Sequence, residues 1–212
     1  MNNIKIRQSI PGDVEQAVPL IYSSGPAAFD YVFKTNEYSA LDYLKYAFQR
    51  PGGEFSFQNH YSVVVDDCVV GAGAIFTGNE MWGFTMSEAL NIIKFYRFNG
   101  LRIMPRGLRI ESLIKPPRKY EAAIGHLGIH ESMRGKGLGT MLINELMLSN
   151  KIDKQKSFVL DVSIENPQAQ RLYEKFGFEV SKKCLSKLKN QFAIVIDHNR
   201  MEKEIPTKSQ VQ

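Results

Sequence analysis

The sequence predicts an α/β fold in which helices flank a central sheet, with a helical insertion between the third and fourth strands. Three observations carry this. Ile4 and Ile6 alternate with Lys5 and Arg7 in the period of two that a half-buried strand requires. Residues 157–164 are a near-continuous apolar run, the pattern of a strand covered on both faces. Between such runs, apolar residues recur at helical spacing, as with Leu138, Met141, Leu142 and Leu146.

The elements follow in order. After the first strand, Pro11-Gly12-Asp13 turns the chain into a helix with Asp13 as its N-cap, and Val14, Ala17, Val18 and Ile21 form one face. Pro19 interrupts that pattern, and Gly25-Pro26 is expected to end it. A second helix is expected over 40–50, where Leu41, Leu44, Ala47 and Phe48 share a face before Pro51-Gly52-Gly53. Residues 61–65 and 69–76 are β-branched or small and are separated by Asp66-Asp67, which predicts a hairpin. Residues 78–118 read as an inserted, mostly helical module. A strand over 120–130, a polar glycine-bearing loop and a helix over 138–147 come next. Pro167, in the first turn where its missing N–H costs nothing, opens a helix to Lys175, and Gly177 stops it. Residues 178–180 and 192–196 are expected as closing strands. A single domain over 1–200 and a tail over 201–212 complete the expected organisation.

Composition narrows the function. The net charge of +5 is modest, and basic residues are concentrated in two places: 78–118 and 181–212 each carry seven Lys/Arg against three acids. Within these two stretches the basic residues form no helix–turn–helix or aromatic–basic RNA motif, so no nucleic-acid partner is expected. Cys68 and Cys184 are the only cysteines, far apart and without metal spacing; neither a disulfide framework nor a metal site is expected, and a reducing cytoplasm fits. No stretch approaches the roughly 18 apolar residues of a membrane span, so no stable membrane insertion is expected.

The chemistry concentrates in Arg134-Gly135-Lys136-Gly137-Leu138-Gly139-Thr140, between a strand and a helix. Glycines there let backbone N–H groups converge, and the helix N-terminus adds roughly half a positive charge, which together favour a phosphate or pyrophosphate. Arg134 and Lys136 reinforce the preference. A Walker loop needs Ser or Thr after Gly-Lys, where Gly137 stands, and the dinucleotide fingerprint lacks its third glycine over 140–142.

Arg134, Gly137 and Gly139 occupy the defining positions of the Q/R-x-x-G-x-G/A loop, and the segment from Asn166 to Phe178 is similar to a second signature of the same family. On these motifs the chain resembles the GCN5-related N-acetyltransferases, closely over about 120–180. The resemblance implies a mixed, mostly antiparallel sheet, acetyl-CoA as cosubstrate, and direct attack by an amine acceptor. It implies that Ile129 and Asn166 bond the pantetheine arm, that residues 134–140 hold the pyrophosphate, and that the Leu127 N–H polarises the thioester carbonyl. Tyr173 matches the tyrosine that protonates the departing thiolate. The family has no fixed general base; Glu121 and His126 are the candidates, ahead of His60 and Glu54. The insertion departs from the family, which joins these strands briefly. It is expected to wall or cover the acceptor pocket with Trp82, Phe84, Phe95, Tyr96 and Phe98, with a packing or homodimer surface as the alternative and a basic amphipathic helix on a membrane surface third, since Pro105 and Pro116-Pro117 break it early. A small-molecule acceptor is expected; a peptide or protein N-terminus, or a CoA-binding module without catalysis, stays open.

Overall fold

A computed structural model describes residues 3–206. Seven strands form one sheet in the order β1-β2-β3-β4-β5-β7-β6. The strands are β1 (Ile4–Gln8), β2 (His60–Val65), β3 (Cys68–Thr77), β4 (Glu121–Ile129), β5 (Ser157–Ser163), β6 (Glu179–Cys184) and β7 (His198–Glu204). Every neighbouring pair is antiparallel except β4 and β5. This is the mixed, mostly antiparallel α/β architecture that the sequence implied.

Alternation along the strands divides the core. Val63, Ile75, Ala122, Ile124, Leu160 and Met201 face α6 (Leu138–Met147) and α7 (Pro167–Lys175). Ala72 and Val64 face the opposite layer, built from α1 (Val14–Ser23), α2 (Pro26–Phe33) and α3 (Ala40–Phe48). The insertion contributes α4 (Met81–Tyr96) and α5 (Gly100–Ile110) to that layer. Tyr96 stacks on Tyr43 at 5.4 Å and donates to the Phe33 carbonyl at 2.6 Å, which ties the insertion to α3 and α2.

Four expectations are corrected. Pro19 does not break α1, because it lies on the solvent face while Val18, Leu20 and Ile21 hold the helix on the sheet. Gly25-Pro26 ends α1 as expected, and Pro26 also opens α2 in its first turn. Asp13 does not cap α1 through its side chain; it accepts from the Ile10 N–H, Arg7 and Ser62, pinning the turn to β1 and β2. Residues 192–196 are not a strand. Asn190 Oδ1 accepts the Phe192 and Ala193 N–H groups at 2.9 and 3.1 Å, and the closing strand begins at His198 instead. Consequently Met201 is wholly buried in β7 and does not open a tail; residues 207–212 lie outside the described residues.

Among the described residues no helix is long and apolar enough to cross a membrane.

Candidate active site

The sheet parts in its middle. β4 and β5 are paired only over Glu121↔Ser157, Ala122↔Phe158 and Ala123↔Val159, so beyond Ala123 the β5-facing edge of β4 has no strand beside it. On its other edge β4 stays paired with β3 as far as Ile129, but the register shifts where Ala72↔Gly128 gives way to Ala74↔Gly125. His126 sits in that bulge with φ +56°, an uncommon conformation for a residue with a side chain. Gly128 is dictated by packing: a Cβ there would fall 2.1 Å from the Leu20 carbonyl oxygen of α1. The unpaired stretch therefore holds His126, Leu127 and Ile129, and α1 braces it from behind.

β4 leads directly into the glycine loop. Gly135 and Gly137 have φ +75° and +79°, and nothing stands within 4 Å of a Cβ at either, so it is backbone conformation that calls for glycine there. Gly137 is the N-cap of α6 and gives no side-chain cap. Among the described residues the Leu138, Gly139 and Thr140 N–H groups have no acceptor, the first such partner being the Gly137 carbonyl for Met141. Three free donors and a helix dipole thus converge at the loop. Arg134 folds back to give its Nε–H to the Ile129 carbonyl at 3.0 Å, and Lys136 lies exposed beside Met133.

α7 flanks the same opening. Asn166 Oδ1 caps it by accepting the Ala169 N–H at 3.1 Å, which leaves its amide NH2 free to donate. Tyr173 packs edge-on against Phe178 at 6.2 Å in the cluster that Leu127, Ile129 and Ala169 also join, and among the described residues its hydroxyl has no partner. Burial pushes that phenol up to about 12, so at neutral pH it holds its proton.

On the sheet's other face a second group of residues converges. The His60 Nδ1 lies 2.9 Å from the Ser56 carbonyl oxygen, which can only accept, so Nδ1 carries the proton. His60 Nε2 is then a lone pair, and His126 Nδ1, its neighbour, is the donor. This chain fixes the His126 tautomer and leaves its Nε2 unprotonated, 3.6 Å from Glu54 Oε1. Burial lowers the pKa of both rings, His60 to about 4, and His60 depresses that of His126 further. Phe29, Phe55 and Phe76 surround the His126 ring at 5.7, 5.3 and 5.3 Å.

The insertion reaches this group through Glu88 of α4, whose Oε2 accepts from Tyr43 at 2.5 Å. Burial raises the Glu88 carboxyl to about 7; burial, then the charges of Glu88 and Glu111, raise Glu54 to about 8. Phe84 packs on Phe76 at 5.9 Å, while Phe95 and Tyr96 belong to the cluster around Tyr43. Trp82 and Phe98 are exposed and wall nothing.

Glu121, the other expected base candidate, is committed elsewhere. It lies at the paired end of β4, where Oε2 accepts the Arg118 N–H at 2.9 Å and Arg200 at 3.4 Å. Arg200 also reaches Asp161 at 2.8 Å and the Lys115 carbonyl at 2.7 Å. The carboxylate therefore fastens the end of the insertion to β5 and β7. Sequence reasoning ranked His60 and Glu54 low and missed Glu88, Tyr43 and Arg200, which come from elements distant in the chain.

A mixed sheet parted at its centre, beside a glycine loop that opens a helix, is the framework of an acyltransferase of the CoA-dependent kind. The acetyltransferase (GNAT) family model matches residues 26–178, and the chain belongs to that family. Solved structures agree on the fold. An N-acetyltransferase from Staphylococcus aureus Mu50 is 18% identical, with 94% of this chain and 100% of that one covered and a TM-score of 0.62. A GCN5-related N-acetyltransferase from Kribbella flavida is 14% identical over 95% and 98% of the two chains, with a TM-score of 0.58. A Salmonella typhimurium protein solved with its cofactor acetyl-CoA is 15% identical over 97% and 95%, with a TM-score of 0.54. No curated protein matches.

Proposed function

We propose that the protein moves an acetyl group from acetyl-CoA to a small primary amine, by direct attack within a ternary complex. The observation that carries this reading is the three-residue β4–β5 ladder, which leaves a strand edge unpaired just where the glycine loop begins. An extended pantetheine arm bonds such an edge as a strand does, with Ile129 and the Asn166 amide as its partners. The loop from Arg134 to Thr140 takes the pyrophosphate on its free N–H groups.

The geometry supports a role for each reacting proton. The acceptor enters as an ammonium ion and must lose a proton before its nitrogen has a lone pair. Nε2 of His126 receives that proton, because its neutral tautomer is already set by His60. The amine nitrogen attacks the thioester carbon, and the Leu127 N–H stabilises the oxyanion. The attacking nitrogen releases its second proton to solvent, the C–S bond breaks as the N–C bond is kept, and Tyr173 gives its hydroxyl proton to the CoA thiolate before regaining one from solvent. Glu54 and Glu88 have no Lys or Arg partner among the described residues and, held at about 8 and about 7, largely keep their protons near neutral pH; with the aromatic wall around His126 they favour an amine with an apolar body. Two free cysteines fit residence in the cytoplasm.

The test is acetyl-CoA with a panel of amines, polyamines, amino acids and peptides, scored by thiol release. Turnover of small cationic amines is expected; saturable CoA binding without acetylation of any of them would refute the assignment.

A further inference from the structure

The insertion turns only one side of its helices inward. Ile92, Tyr96 and Ile103 are buried against α2 and α3, whereas Trp82, Met86, Leu90 and Ile93 recur at helical spacing along the outer side of α4. The stripe continues past the turn with Phe98, Leu101 and Leu108, and Trp82 and Phe98 are 77% and 94% exposed. Large apolar side chains left together on a surface mark a site that something covers.

Charge says what covers it. Lys94, Arg102 and Arg109 lie exposed on the same two helices, and Arg97 lies exposed in the turn between them. The one acid between Met81 and Ile110, Glu88, is turned inward to Tyr43. The uncovered face is therefore apolar and predominantly cationic, with Glu37 beside Arg102 and the exposed Glu111 at its edge. A second copy related by a two-fold axis would bring this face against itself, cation beside cation. Trp, Phe and Leu on one side of a helix with Lys and Arg flanking them is the composition of a helix lying in a lipid headgroup layer, and cations of one sign are drawn to an anionic leaflet.

We propose that α4 and α5 seat the protein peripherally on an anionic lipid surface, the apolar stripe entering the headgroup boundary while the four cations meet lipid anions. Neither helix spans the bilayer; both lie in its interface. Seated in this way, the insertion would hold the face carrying Glu88 and His126 close to the membrane.

Trp82 is the only tryptophan and reports directly on the event. The full chain would be titrated with vesicles of phosphatidylcholine alone and of phosphatidylcholine with phosphatidylglycerol, following Trp82 fluorescence and cosedimentation. A blue shift and cosedimentation are expected only with the anionic vesicles, weakening as salt is raised. An R97E/R102E variant, with unchanged circular dichroism, should partition about tenfold or more less strongly. An unshifted Trp82 with both vesicle types overturns the proposal, as does equal binding to neutral vesicles. So does a blue shift that grows with protein concentration in the absence of lipid together with a dimer in sedimentation, which would make the occupant a second copy. The wild-type measurements decide the matter even if the variant fails to fold.

Discussion

His60 Nε2 and His126 Nδ1 stand 3.0 Å apart, with the two rings nearly parallel at 11°. One histidine thereby orients the other, and the Ser56 carbonyl orients the first. His126→Gln is expected to lower kcat about 100-fold or more, the usual range for loss of a general base, with the acetyl-CoA affinity preserved. His60→Phe removes the acceptor for the His126 Nδ1 proton, along with the donor to the Ser56 carbonyl; loss of the first should reduce kcat about tenfold, the worth of one buried hydrogen bond. Nitrogen-15 NMR would show His126 shared between tautomers in that variant, and a single tautomer there would refute the relay.

The same pair makes stability pH-dependent. His60 has a folded pKa of about 4, below its ordinary 6.5, so between these values the unfolded chain binds more protons. Its contribution is present above pH 6.5 and is lost as pH falls toward 4, about 3 kcal/mol at most. Glu54 and Glu88, held at about 8 and about 7, act in the opposite sense: their folded forms keep protons, so stability declines as pH rises from about 4.5 through those values. Urea unfolding between pH 4 and 8 should show a shallower acid limb in His60→Gln than in the parent.

Tyr173→Phe keeps the ring that packs on Phe178 and removes only the hydroxyl with its proton. Turnover should fall about 100-fold or more while CoA binding by calorimetry is unchanged, and unchanged turnover would leave the thiolate to be protonated by water.

Two glycines separate ligand binding from folding. Gly137→Ala meets no neighbour but must hold φ +79°, at a cost of about 1–2 kcal/mol, so CoA affinity should weaken roughly tenfold in a folded protein. Gly128→Ala drives a methyl group into the Leu20 carbonyl, and its thermal midpoint should fall instead.

Arg200→Met strips the cation from two buried carboxylates, Glu121 and Asp161, the latter already raised to about 6 chiefly by burial. A loss of about 3–5 kcal/mol in urea unfolding is expected. An unaffected midpoint would show that the network carries no net stability.

Local chemistry was legible in the sequence and long-range convergence was not. The hairpin around Asp66-Asp67, the loop of Arg134 to Thr140 and the capped helix at Asn166 each depend on neighbours a few residues away, and each forms where expected. The insertion's helices were visible by periodicity, but nothing in that period told the inward Glu88 from the outward Trp82. Tyr43 and Glu88 are 45 positions apart and His60 and His126 are 66 apart, so only the folded sheet brings them together. The misread strand at 192–196 has the same origin: five consecutive apolar residues look like a buried strand until Asn190 claims two of the amides they need.

The short β4–β5 ladder divides the sheet into a leaf of four strands and a leaf of three, joined along a seam of only three residue pairs. A cosubstrate lying in that gap is therefore a missing plank of the architecture as well as a reactant. Loading it should slow amide hydrogen exchange in both leaves at once, and each product release should loosen the whole body of the enzyme rather than one flap at its rim.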